Sequence, residues 1–191
     1  VSYNFIDPAR GDIVVFITDD ITRRGKPLSG RYYIKRLVGL PGDTLKIVDR
    51  KLYVRPPDAT EFRLVDSDDD PAFGRIYSNR GGYHGYTHEA NALRLRDNAD
   101  AVTIPADSYF VLGDNSANSL DGRYWDRGFV PRRNIVGRAC WVWWPFSRRW
   151  GPVDRVEPLD EPAPNAPPPN APPADRPPGK PQPPLPQPPP E

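Results

Sequence analysis

Apolar and polar residues alternate in short runs along the first 145 residues, and turn-forming residues close each run. Asp12 to Ile17 is a brief apolar run bounded by such residues. In the run Tyr32 to Gly39, YYIKRLVG, strand periodicity places Tyr33, Lys35 and Leu37 on one face and Ile34, Arg36 and Val38 on the other. The run ends at Leu40-Pro41-Gly42-Asp43, with Pro and Gly at the central positions of a type II turn. Leu45 to Val54 reads as a hairpin around Asp49-Arg50, and Tyr109 to Leu112 and Ile135 to Trp144 supply later strands. No long stretch carries a helical period. Arg55 to Ala106, rich in Gly, Asp, Asn and Arg, reads as a smaller β-rich cap inserted between two core strands. The expected fold is therefore mostly β. Residues 1–54 and 107–151 form a β core, residues 55–106 the cap, and residues 152–191 a separate tail.

The tail differs from the body in composition. Of 27 prolines, 17 follow Val156, in a stretch without aromatics and with almost no aliphatic residues. Such a segment buries too little apolar surface to offset its ordering entropy, so it is expected to be disordered with polyproline II character. Lys180, Pro183 and Pro186 have the spacing that polyproline-binding modules read, which makes a weak partner of that kind possible for the tail. From Pro152 onward there are 6 acidic and 3 basic residues, so the net charge of +1 leaves the body at about +4. With no basic stripe or recognition helix, that balance excludes nucleic acid as a partner class.

The single cysteine, Cys140, excludes an intramolecular disulfide and reads as a small packed strand residue. His84 and His88 are four apart, but the surrounding glycines in GGYHGYTHEAN argue for a loop rather than a helical metal pair. Asp66, Asp68, Asp69 and Asp70 resemble half of a calcium loop. Pro71 occupies the glycine position and no Glu closes it, so a solvated turn is expected, with no metal and no cofactor. The chain contains no Met and no apolar run of about 18 residues, so membrane attachment is expected from sequence outside it. Trp141 and Trp143 share one strand face and Trp144 the other, which suits either core packing or contact with a membrane interface.

Lys35 carries the candidate chemistry. A lysine amine titrates near 10.4 in water, and burial among apolar groups lowers that value by disfavouring the charged form. A neutral lysine takes a proton from a serine hydroxyl. The same residue also suits an edge strand whose ammonium reaches water.

A second segment bears on this choice. Residues 113–131, GDNSANSLDGRYWDRGFVP, form a polar loop between two expected strands. Together with ARGDIVVF at Ala9 to Phe16 and YIKRLVGLPGD at Tyr33 to Asp43, this loop resembles the bacterial type I signal peptidases. These are membrane-bound Ser/Lys endopeptidases that remove signal peptides from exported proteins. The resemblance covers about Pro8 to Pro145, with Lys51 to Asp107 matching only as an insertion of variable sequence. It implies that Lys35 is the general base and that Ser119 orients the lysine amine. It further implies that Arg36 pairs with Asp114 and Arg123 with Asp121, bracing the loop against the Lys35 strand. Signal peptides and the membrane surface are the implied partners. The implied location is the bacterial cytoplasmic (inner) membrane, with the catalytic body on its extracytoplasmic side.

The family nucleophile is a serine in a Ser, small or Met, x, Pro, Thr block lying several tens of residues before RGDIVVF. Ser2, Ser29, Ser67 and Ser78 lack that setting, so the nucleophile is not expected in this chain, and the chain alone is expected to be inactive. Ser116 and Ala117 replace a charged pair of the family pattern, Gly122 replaces a serine, and Asp126-Arg127 is inserted between RYW and GFVP. Two alternatives stay open: a related Ser/Lys processing peptidase, and a non-catalytic scaffold that presents the Pro-rich tail to partners.

Overall fold

In the computed structural model, which describes residues 7–28, 30–88 and 91–139 and the backbone of 141–142 and 151–152, the chain folds around two antiparallel sheets. In chain order the elements are β1 (Ile13–Ile17), β2 (Thr22–Arg23), β3 (Lys26–Pro27), β4 (Tyr32–Gly39), β5 (Thr44–Val48), β6 (Lys51–Arg55) and β7 (Arg63–Leu64). There follow α1 (Pro71–Ile76), β8 (Ala101–Thr103), β9 (Ser108–Leu112), β10 (Val130–Pro131), β11 (Ile135–Arg138), β12 (Trp141–Val142) and β13 (Gly151–Pro152). The first sheet runs β10-β9-β4-β1-β11 and the second β7-β6-β5-β8. Ser2, Ser29, Cys140, Trp143, Trp144, Trp150, the side chain of Trp141 and residues 153–191 with their proline pattern lie outside the described residues.

Alternation along β4 and β9 divides two cores. Leu37 and Val111 join Val14, Phe16, Trp125, Val130 and Ile135 in one cluster. Their neighbours Val38, Phe110 and Leu112 join the β5–β6 hairpin and the cap residues Phe73, Ile76, Tyr86 and Leu95 in the other. The sheet bearing Lys35 is thereby wedged between two apolar layers over its central residues, which fixes the position of β4.

The Pro41-Gly42 turn forms with Gly42 at φ +84°, and Asp43 N donates to Leu40 O at 3.1 Å. The β5–β6 hairpin turns at Asp49 and Arg50, both at positive φ (49° and 65°), the backbone of a type I′ turn built without glycine. Alternation of apolar residues in the flanking strands sets this register rather than turn chemistry.

Four features depart from the sequence reading. The strand expected over Ile135 to Trp144 stops at Arg138, because its partner β1 runs out: Ala139 N donates to Ile13 O, and before Ile13 the chain turns away, with Asp12 N donating to Ala9 O. Backbone pairing resumes separately, Trp141 opposite Pro152 and Val142 opposite Gly151. Within the cap a six-residue helix appears, started by Asp70, whose carboxylate accepts from Ala72 N, and by Pro71 in the first turn. Six residues are too few to leave a readable helical period, so the cap-and-proline pair was its only sequence signal. The acidic turn before it is not merely solvated: Asp69 binds Arg63 through both oxygens and lies 3.8 Å from Arg10. The β5–β6 hairpin pairs with β8, so the second sheet runs across the expected boundary between core and cap.

Candidate functional site

The site arises where β4 outruns its neighbour. β9 pairs with β4 only from Arg36 opposite Leu112 to Gly39 opposite Phe110, whereas β1 pairs with β4 from Arg36 back to Tyr32. Beyond Leu112 the chain leaves the sheet at Gly113 and makes a 3-10 turn over Ser116–Asn118, which brings Ser119 back against Gly113. Between this loop and the strands lies a cavity of about 320 Å³. Ile13, Ile34 and Lys35 line it from the strands, and Gly113, Asn118 and Ser119 from the loop.

Lys35 is half-buried, with Nζ 6.0 Å from the centre of the Tyr33 ring. Burial pulls its amine below the ordinary lysine value; Asp121 and Asp114 oppose that shift, and Arg123 adds to it. Ser119 Oγ is buried and makes no hydrogen bond among the described residues, so the bond expected between it and the Lys35 amine is not formed. The two groups nonetheless meet at one place. A Cβ added to Gly113 would stand 2.1 Å from Ser119 Oγ and 3.6 Å from Lys35 Nζ, so the oxygen and nitrogen lie no farther apart than those distances together allow. Only a residue without a side chain permits that approach. Gly113→Ala is expected to push Ser119 away from Lys35, costing about 1–3 kcal/mol in thermal or denaturant unfolding. An unchanged melting temperature would show that the loop yields freely.

Both charged pairs exist, and neither is a solvated surface contact. Arg36 Nε and Nη2 donate to the two oxygens of Asp114 at 2.8 Å each, and Nη1 donates to Gly11 O at 2.6 Å. Burial opposes the charge on Arg36, and the Asp114 hydrogen bonds outweigh it, so the guanidinium is held charged. Arg123 and Asp121 are fully buried. All five donors of Arg123 are used: Nε and Nη2 reach Asp121 at 2.9 Å, Nη1 reaches Thr87 O and Ser116 Oγ at 2.8 Å, and Nη2 also reaches Ser116 O at 2.8 Å. Asp121 in turn accepts from Gly113 N at 3.1 Å.

Sequence reasoning missed two contributors. Ser116, noted only for replacing a charged residue, is a buried hub that accepts from Arg123 and from Thr87 N at 2.9 Å. Asp70 adds a carboxylate 3.5 Å from Arg36, tying the start of α1 to the residue next to Lys35. The readable signal for Asp70 was its place before Pro71; nothing local marked Ser116. The inserted Asp126 accepts from Arg24 N and Gly25 N at 2.7 and 2.9 Å, so this departure from the family pattern binds the β2–β3 hairpin. His88 contacts Leu95 O and Asn98, and no cluster of three or more metal-ligating side chains occurs among the described residues. Ser78 Oγ donates to Arg75 O within the cap, and neither Ser67 nor Ser78 lines the cavity.

Comparison with known proteins identifies the family. A family model described as "Signal peptidase, peptidase S26" matches residues 1–144, and the chain belongs to that family. It is 37% identical over 151 residues to Signal peptidase I of Pseudomonas aeruginosa, covering 73% of this chain and 51% of that protein. It is 32% identical over 148 residues to Signal peptidase I of Leptolyngbya laminosa, covering 78% and 59%. The chain thus spans little more than half the length of these relatives. The crystal structure of a signal peptidase I from Enterococcus faecalis V583 aligns with a TM-score of 0.48 at 27% identity, covering 71% of this chain and 99% of that one.

Proposed function

We propose that this chain is the catalytic body of a signal peptidase I, which cuts signal peptides from exported preproteins with Lys35 as general base. The observation that carries the reading is the desolvated Lys35 amine facing a cavity beside the buried, unbonded hydroxyl of Ser119. In the mechanism, a serine from the block preceding RGDIVVF attacks the scissile carbonyl carbon while neutral Lys35 accepts its proton. Collapse of the tetrahedral intermediate breaks the C–N bond, and the lysine ammonium gives that proton to the leaving amine. Ser119 orients the amine between the two transfers. The Arg36–Asp114 and Arg123–Asp121 pairs hold the strand and loop that carry these groups.

The substrate enters as an added strand along Tyr32 to Lys35, where β9 no longer pairs with β4. The exposed end of β4, with Tyr32 67% and Ile34 57% exposed, turns toward the membrane on the extracytoplasmic side. No helix among the described residues is long and apolar enough to cross a membrane.

The test joins the chain to the Ser-x-Pro-Thr block of its relatives and supplies a preprotein with small residues before the cut. Cleavage is expected, with Ser119→Ala lowering kcat about tenfold, because the hydroxyl that is unbonded here would no longer be able to turn to the amine once the nucleophile is in place. A folded product with no cleavage would reject the enzyme reading in favour of a scaffold.

A further inference from the structure

We infer that the tip of the β2–β3 hairpin is a docking point for anionic lipid headgroups, set at one end of the apolar sheet face. The inference rests on the membrane-surface part of the reading above. β1 and β4 continue past the sheet as one ribbon: Thr18 N donates to Arg31 O, Leu28 N donates to Ile21 O, and Arg23 then stands opposite Lys26. The tip lies at Arg24 and Gly25, both at positive φ (51° and 71°). The Asp126 carboxylate grips both of their amides, so the tip is held to the body rather than left to fray.

Arg23, Arg24 and Lys26 stand at this tip with Arg127, the neighbour of Asp126, and Arg31 stands at the base of the ribbon; Arg23 is half-exposed and the other four are exposed. None of the five makes an ion pair among the described residues; the neighbouring carboxylates keep their charge but are directed at other partners. Asp20 pairs with Arg133 at 2.9 Å, Asp19 accepts from Gly30 N, and Asp126 holds the tip amides. Arg31 leads directly into the exposed Tyr32 and Ile34, which lie opposite Ile17 and Val15 on β1. A ribbon whose exposed cations outnumber its carboxylates and which leads into an exposed apolar strip matches an anionic bilayer surface on both counts. The strip faces the headgroup and acyl boundary, and the cations meet lipid phosphates. An acidic protein would account for the cations but leave the apolar strip unused.

The experiment measures binding of the 191-residue chain to vesicles of phosphatidylcholine alone and of phosphatidylcholine with a minority of phosphatidylglycerol. Binding to the anionic vesicles is expected to be the tighter and to weaken with salt. Arg24→Gln/Lys26→Gln, which keeps the backbone bonds to Asp126, is expected to lower it about 25-fold, roughly fivefold per cation, with no change on phosphatidylcholine. Lys46→Gln/Lys51→Gln removes the same charge from the second sheet and is expected to change binding less than about twofold. Equal loss in that control would reduce the effect to net charge. Equal binding to both vesicle types, unaltered in the hairpin variant, would overturn the inference and leave the apolar face as the membrane contact. Failure to bind any vesicle would instead reject the membrane reading on which it rests. Competition by polyglutamate at the same charge concentration as phosphatidylglycerol would reassign the tip to an acidic protein.

Discussion

Lys35→Ala, in a chain carrying the serine block of its relatives, is expected to lower kcat by about 10²–10⁴-fold without unfolding the protein, the range a positioned general base supplies. Since only the neutral amine accepts the serine proton, kcat/KM of the parent should rise with pH through a pKa below that of an ordinary lysine. The same depressed pKa has a consequence for stability. Between its folded and unfolded pKa values the unfolded chain binds the Lys35 proton and the folded chain does not, so stability increases with pH across that window. Below the folded pKa, burial of the ammonium costs stability in full. Lys35→Met, apolar and of similar length, should therefore melt above the parent at neutral pH, with the difference shrinking as the pH approaches the ordinary lysine value. Thermal melts across pH and single-turnover assays measure the two effects. Sustained turnover in Lys35→Ala, or a Lys35→Met protein less stable at every pH, would overturn the assignment.

Asp121→Ala is expected to destabilise the fold by about 3–5 kcal/mol, because it leaves the fully buried Arg123 guanidinium without its counter-charge. Thr87 O and the two Ser116 oxygens would remain as acceptors, but they are dipoles and do not compensate a full charge. Gly113 N would lose its acceptor as well, at the point where the loop leaves β9. Arg123→Met combined with Asp121→Leu removes both charges and should recover much of the stability but not the loop geometry. Denaturant unfolding with an unchanged m-value is the measurement. A loss under about 1 kcal/mol would mean that water screens the pair despite its burial.

The strands of the first sheet were legible because each is short, half-buried and closed by a turn former, so alternation alone places β1, β4 and β9. The hairpin at Asp49-Arg50 was legible for the same reason, although Arg50 is a poor residue for positive φ. The charged pairs were not readable from spacing. Arg36 and Asp114 are 78 residues apart, and only the family resemblance brought them together. What stayed hidden was set by contacts between remote segments. β8 pairs with β5 across a connection that no local pattern encodes, the end of β11 is decided by where β1 begins, and Ser116 is buried by the approach of Thr87. The missing Lys35–Ser119 hydrogen bond is likewise a matter of side-chain placement to which periodicity is blind.

As an engineering problem, the cap is not an interchangeable module. Arg36 is braced by Asp70 of the cap, Arg10 by Asp69, and Arg123 takes an acceptor from Thr87. A chimera that exchanged residues 56–100 for a relative's counterpart would have to present two carboxylates and one backbone carbonyl at those positions, or the loop beside Lys35 would lose part of its footing. Length can vary instead at the exposed turns of residues 57–61 and 79–82. In this chain the cap therefore works as part of the wall that holds the loop beside Lys35, and its redesign is a redesign of the site.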